Sequence, residues 1–170
     1  MADMRETLVD WLRDAHGMEK QAIDMMEAHS GRLEHYPELK AQIDRHIAET
    51  RGQVQRLEDC LGRLGADTSA VKTGLARASG MMQSLLGSTA SDEVVKNAIG
   101  EASFERFEIA NYRVLIAAAE ACGEMEVKRL CEESLREEEA MASWLDQQLP
   151  IVTKRYLGML ETAGTSAAKR

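Results

Sequence analysis

The sequence has little of what would place it in most functional classes. Only two prolines, Pro37 and Pro150, occur in 170 residues, and aromatics are 4 %. Few breakers, with abundant Ala, Leu, Glu, Arg and Met, point to an all-α chain. Cysteine is scarce too: Cys60, Cys122 and Cys131 are odd in number and show no C-x-x-C spacing. That disfavours a disulfide framework or a thiolate zinc site, and buried, reduced thiols are expected. Positive charge is in deficit, with 21 Lys and Arg against 29 Asp and Glu and a net charge of −8. A nucleic-acid partner, which needs a basic footprint, is disfavoured. No apolar run approaches the roughly 20 residues of a membrane span. The opening MADMRETLVDW lacks the charged-then-apolar layout of a signal peptide. A cytoplasmic location is the expectation.

What is present is a regular succession of helical patterns. Hydrophobic residues make up 44 % and charged residues 29 %, as in a globular chain large enough for one core. A first helix is expected over about residues 3–29, with Leu8, Leu12, Ala15, Ala22 and Met25 in its stripe and Gly31 at its end. Pro37 suits the first position of a second helix running to about Leu64, whose stripe is Ile43, Ile47, Val54, Leu57 and Leu61. A long connection, 65–91, carries a shorter helical pattern through Val71, Leu75, Met81, Met82 and Leu86. The third helix covers about residues 91–122. The fourth covers 124–149, ended by Pro150, and a packed turn or short helix follows over 151–160. Residues 1–160 therefore read as one bundle domain and 161–170 as a disordered tail. The long crossover between helices two and three, with a short turn between three and four, suits a ferritin-like bundle better than a simple up-down one.

Acids in the wrong places carry the functional reading. Phe104, Phe107, Ala110, Val114 and Ala117 trace an apolar stripe on the third helix, yet Glu105 and Glu108 are interleaved with it. Ionised carboxylates rarely go inside without a cation, proton or donor to compensate them. Glu19, Glu49 and Glu138 repeat the pattern, each bordering or interrupting a stripe about halfway along its helix. His46 and Glu49, three apart, share one side of the second helix and can share one ion. Gln53 continues that polar row, and Tyr112, one turn from Glu108, is placed to hydrogen-bond a carboxylate there. Gly52 in mid-helix suggests close approach by another helix or chain.

Four segments, LRDAHGMEKQ (12–21), HIAETRGQVQRLE (46–58), ERFEIANYRVL (105–115) and ESLREEEA (133–140), resemble the signature segments of the YciF-type bacterial stress-protein family. This family is ferritin-like, and the resemblance covers residues 6–149. It implies a compact bundle, a homodimer and a di-iron or related metal centre. Glu19, Glu49, Glu108 and Glu138 resemble the core ligands, with His46, Glu105 and Gln53 as auxiliaries. The chain departs from the ferritin-like pattern in one respect: no Glu-x-x-His occurs anywhere in it. Iron is then the leading cofactor, with Mn, Mg, Ca or none as alternatives. The functional expectation is a metal-binding stress protein that scavenges iron or oxidant; the alternative is a non-catalytic helical scaffold. Whether the chain is an enzyme stays open.

Overall fold

The computed structural model describes residues 3–68 and 91–168, and every regular element among them is helical. Helix α1 spans Met4–Ser30, α2 Pro37–Arg63, α3 Glu93–Ala121, α4 Met125–Ala163 and α5 Thr165–Ala168. Asp3 caps α1, its carboxylate accepting from the Arg5 amide at 3.4 Å. Pro37 opens α2, as its fixed φ and missing N–H favour. The α3–α4 turn closes at Gly123, whose φ of 73° is open to a residue without Cβ, while the Glu124 amide reaches back to the Ala119 carbonyl at 2.9 Å.

The four long helices pack in a ring: α1 lies against α2 and α3, and α4 lies against α3 and α2. Apolar side chains fill both halves of the barrel. Leu8, Leu12, Leu57 and Leu61 stand toward one end, and Met26, Leu39, Ile43 and Leu145 toward the other, all 2 % exposed or less. The chain thus has an ordinary dry core above and below its middle. Cys60 and Cys131 are buried in it, on α2 and α4, and Cys122 is half-buried, all three as free thiols.

Three sequence expectations need correction. Helix α4 does not stop at Pro150 but runs through it to Ala163. An interior proline costs about 3 kcal/mol and leaves the Asp146 carbonyl without its helical partner. Burial of Val152 and Tyr156, two and six residues beyond, offsets that loss. The terminal stretch is helical rather than a tail as far as Ala168. Its carbonyl accepts from the Tyr36 hydroxyl at 2.6 Å, beside Arg155 stacked over the same ring at 5.5 Å. The apolar stripe read on α3 also faces largely outward, with Ala110, Val114 and Ala117 exposed and Phe107 half-buried. Gly52 makes no close approach within the chain, since a Cβ there would meet nothing nearer than Arg56 Nη1 at 3.7 Å. The expected crossover helix and its Met81, Met82 and Leu86 lie outside the described residues.

Candidate metal centre

Each long helix sends at least one polar side chain into the middle of the ring. Glu19 comes from α1, His46 and Gln53 from α2, Glu105, Glu108 and Tyr112 from α3, and Glu138 from α4, all 2 % exposed or less. Spacing explains the convergence. His46 and Gln53 are two turns apart on α2, and Glu105, Glu108 and Tyr112 follow at three and four residues on α3, so each set shares one face. The face of α3 that points inward is therefore the acidic one. Its apolar stripe is displaced outward because carboxylates from three helices and the imidazole of a fourth can be compensated only together.

His46 organises one side of the cluster. Its Nε2 lies 3.4 Å from Glu105 Oε2 and 3.4 Å from Glu138 Oε2. The three residues can each offer one ligand atom within 4.8 Å of the other two. Glu49 does not join them. Its carboxylate is 39 % exposed and meets the outer ring nitrogen, Nδ1, at 2.9 Å. Three residues along the helix bring it to the same side as His46, but toward solvent, where it holds the imidazole from behind and aims Nε2 inward. Tyr112 donates to Glu19 Oε1 at 2.6 Å. Gln53 donates to Glu138 Oε1 in a short contact and to Glu137 Oε2 at 3.0 Å. Arg56 continues this network outward, pairing with Glu137 and donating to Ser134 Oγ at 3.0 Å. His16, one turn before Glu19, points away from the centre to Glu58 at 3.0 Å.

Without a metal the cluster is held by protons. Burial pushes Glu19 and Glu108 well above the usual carboxylate range, and the neighbouring acids add to it. Burial likewise raises Glu105 to about 8, against the opposing pull of His46. Burial alone would depress His46, but hydrogen bonds to Glu105 and Glu138 outweigh it and carry the ring up to about 12. Glu138 is the exception. Burial would raise it, yet the bonds from His46, Glu105 and Gln53 together hold it below its ordinary value. Near neutral pH the centre is an imidazolium–carboxylate pair, His46 with Glu138, flanked by protonated acids. Removal of protons leaves several negative groups facing one another.

The donor set fits a divalent metal. Glu19 Oε2 and Glu108 Oε1 are buried with no hydrogen-bond partner, and Glu105 Oε2 and Glu138 Oε2 share the single His46 Nε2 at a long 3.4 Å; buried carboxylate oxygens are rarely left so. One imidazole with several carboxylates matches the ligand preferences of iron, manganese and zinc. Sequence reasoning named Glu19, Glu49, Glu108 and Glu138 with His46, Glu105, Gln53 and Tyr112, and all but Glu49 are buried at the centre. It missed a second buried pair, His29 Nδ1 with Glu101 Oε1 at 2.7 Å, each side chain 1 % exposed. The four-residue repeat Glu93, Asn97, Glu101, Glu105 on α3 was the available signal.

A protein from Xanthomonas campestris pv. campestris is 37 % identical, with 94 % of this chain and 99 % of that one matched at a TM-score of 0.79. The Escherichia coli stress protein YciF matches at 22 % identity, over 88 % of this chain and 96 % of its own, with a TM-score of 0.73. Ferritin-like, diiron-carboxylate proteins from Bacillus anthracis match at 17 % identity, over 88 % and 99 %, with a TM-score of 0.71. At the last two identities the likeness is one of fold. A family model described as a domain of unknown function, DUF892, matches residues 3–158. The chain therefore belongs to that family, and its fold is that of the ferritin-like helical bundles.

Proposed function

We propose that this chain is a metal-binding ferritin-like stress protein of the cytoplasm. Its central acids hold one or two divalent ions, with iron the leading candidate and manganese, magnesium and calcium behind it. One observation carries the reading: four buried carboxylate oxygens from three helices, on Glu19, Glu105, Glu108 and Glu138, have only one ring nitrogen, His46 Nε2, at a long 3.4 Å from two of them. His46, Glu105 and Glu138 would hold one ion and Glu19 with Glu108 a second, while Tyr112 and Gln53 steady Glu19 and Glu138 from behind. Bound iron would supply one-electron chemistry toward oxygen or peroxide. The chain's own part is to exclude water, aim Nε2 of His46 and give up the protons held on the acids. Metal counting on protein purified from iron- and manganese-supplemented cells tests this. We expect at least one ion per chain, falling to near zero in Glu105→Ala and His46→Ala. Content near zero in the wild type would leave the alternative, a scaffold whose acids are neutralised by His46 and shared protons. The absence of Glu-x-x-His and the outward position of Glu49 favour that second reading.

We propose further that the chain forms a homodimer through the outward stripe of α3. Trp11, Phe107, Ala110 and Val114 line a shallow apolar groove between α1 and α3, with Trp11 43 % and Val114 50 % exposed. A second copy of the chain, presenting the same groove, would cover it. Sedimentation equilibrium should return a mass near twice 18.9 kDa, and Trp11→Glu should shift it to the monomer. A wild type that stays monomeric at high micromolar concentration would remove the dimer from the account.

A further inference from the structure

The inner face of α3 is polar well beyond the centre. Glu93, Asn97, Glu101 and Glu105 follow at intervals of four residues, each 2 % exposed or less. The file covers about 18 Å of helix. Asn97 is wholly buried, yet neither atom of its amide has a hydrogen-bond partner. Glu101 Oε2 and His29 Nε2 are also buried without partners. A helix face that served only packing would carry leucine or alanine here, because an unmet buried amide or carboxylate is costly.

A His–Glu pair anchors this second cluster as it does the first. His46 has Nδ1 on Glu49 and Nε2 turned to the central acids, and His29 has Nδ1 on Glu101 Oε1. A ring nitrogen on one carboxylate oxygen steadies that carboxylate and leaves its other oxygen for a metal ion. Glu101 Oε2 and Asn97 Oδ1, one turn apart on this face, are the buried oxygens left open, and such donors suit the same divalent ions as the centre. Glu101 stands one turn from Glu105, so an ion held here is one step from the central ligands. At the outer end Arg32, 32 % exposed, brings Nε to 3.9 Å from Glu93 Oε1, where the file meets the surface beside the α1–α2 turn.

We propose that His29, Asn97 and Glu101 form a second, outer station for divalent cations, through which ions pass along the inner face of α3 to the central site. This rests on the metal-binding reading of the centre. The test mixes full-length, chelator-stripped protein with Co²⁺ alone in a stopped-flow instrument. It follows cobalt absorbance and counts bound metal at the end point. Asn97→Leu and Glu101→Gln, each confirmed helical by circular dichroism, should load at least tenfold more slowly and reach the wild-type end point. Asn97→Asp, which keeps an oxygen donor, should restore the rate. Loading of both variants within twofold of the wild type would overturn the path and leave the central site standing. An end point that falls in step with the rate would place these residues inside the central site and also overturn it. A wild type that takes up no Co²⁺ would overturn the metal-binding reading, and the path with it.

Discussion

Stripped of metal, Glu108→Leu should melt several degrees above the wild type, and saturating metal should reverse the order. The metal-free centre is costly to the fold. Glu108 is 1 % exposed, its Oε1 has no partner, and Glu19, Glu138 and Glu105 all act against its ionisation. Leucine of similar volume removes the unmet oxygen and one member of a crowded set, leaving Glu19 its Tyr112 hydroxyl. Replacement of buried ionisable groups by packed apolar ones is commonly neutral or stabilising, by about 1–4 kcal/mol. The lower half of that range is a rise of roughly 2–10 °C for a domain of this size. Metal acts in the opposite sense, because it binds the folded centre only. At one hundred times its dissociation constant an ion adds about 2.7 kcal/mol to the wild type, and the variant forfeits much of that. Thermal melts with chelator and with excess Mn²⁺ or Fe²⁺ read both halves. An apo variant that melts well below the wild type would show that Glu108 contributes packing and hydrogen bonding that a metal-free centre needs.

The fold was legible because long-range order here follows from local pattern. Pro37, Gly65 and Gly123 mark real boundaries, and the stripes of α1 and α2 are buried as their period requires. Pro150 misled, since a breaker is a local cost and the burial of Val152 and Tyr156 is a tertiary gain absent from the sequence around it. The site was legible for a different reason. Charged residues in an apolar setting are conspicuous, and Glu19, Glu105, Glu108 and Glu138 are all buried and act on one another's ionisation. On α3, however, the acids and the apolar stripe cannot both face inward, and hydrophobicity alone chose the stripe. Helical spacing also gives Glu49 and His46 a common side without saying which lies deeper. Depth depends on the neighbouring helices, and they bring the imidazole inside and leave the carboxylate partly in water. Nothing in the α1 sequence signals His29, whose partner is 72 residues away on α3.

Metal-free protein should also lose stability as pH rises from about 5.5 to 7.5, whereas many proteins are most stable across that range. Glu19, Glu105 and Glu108 are held above their unfolded values, Glu105 to about 8, and His46 is raised from 6.5 to about 12. The stability that each raised acid contributes is fully present below about 4.5 and is lost as pH climbs toward its folded value. The contribution of His46 is fully present below 6.5 and fades above it. All four groups keep protons in the fold that the unfolded chain has released, so their effects share one sign. Glu138, held below its ordinary value, works the other way, but its contribution is lost only as pH falls below about 4.5. One extra bound proton gives a slope of about 1.4 kcal/mol per pH unit. Over two units this lowers the melting temperature by roughly 5–11 °C. Glu105→Gln, which removes one of these protons and keeps the shape, should flatten the slope where general surface repulsion would not. Metal must displace the same protons, so its affinity rises with pH and the holo curve should climb where the apo curve falls. Melting temperatures of the chelated and Mn²⁺-loaded forms, taken at half-unit steps, should cross. An apo curve that is flat or rising over this interval would mean the buried acids are ionised and compensated by some other group, and the proton-held centre would have to be abandoned.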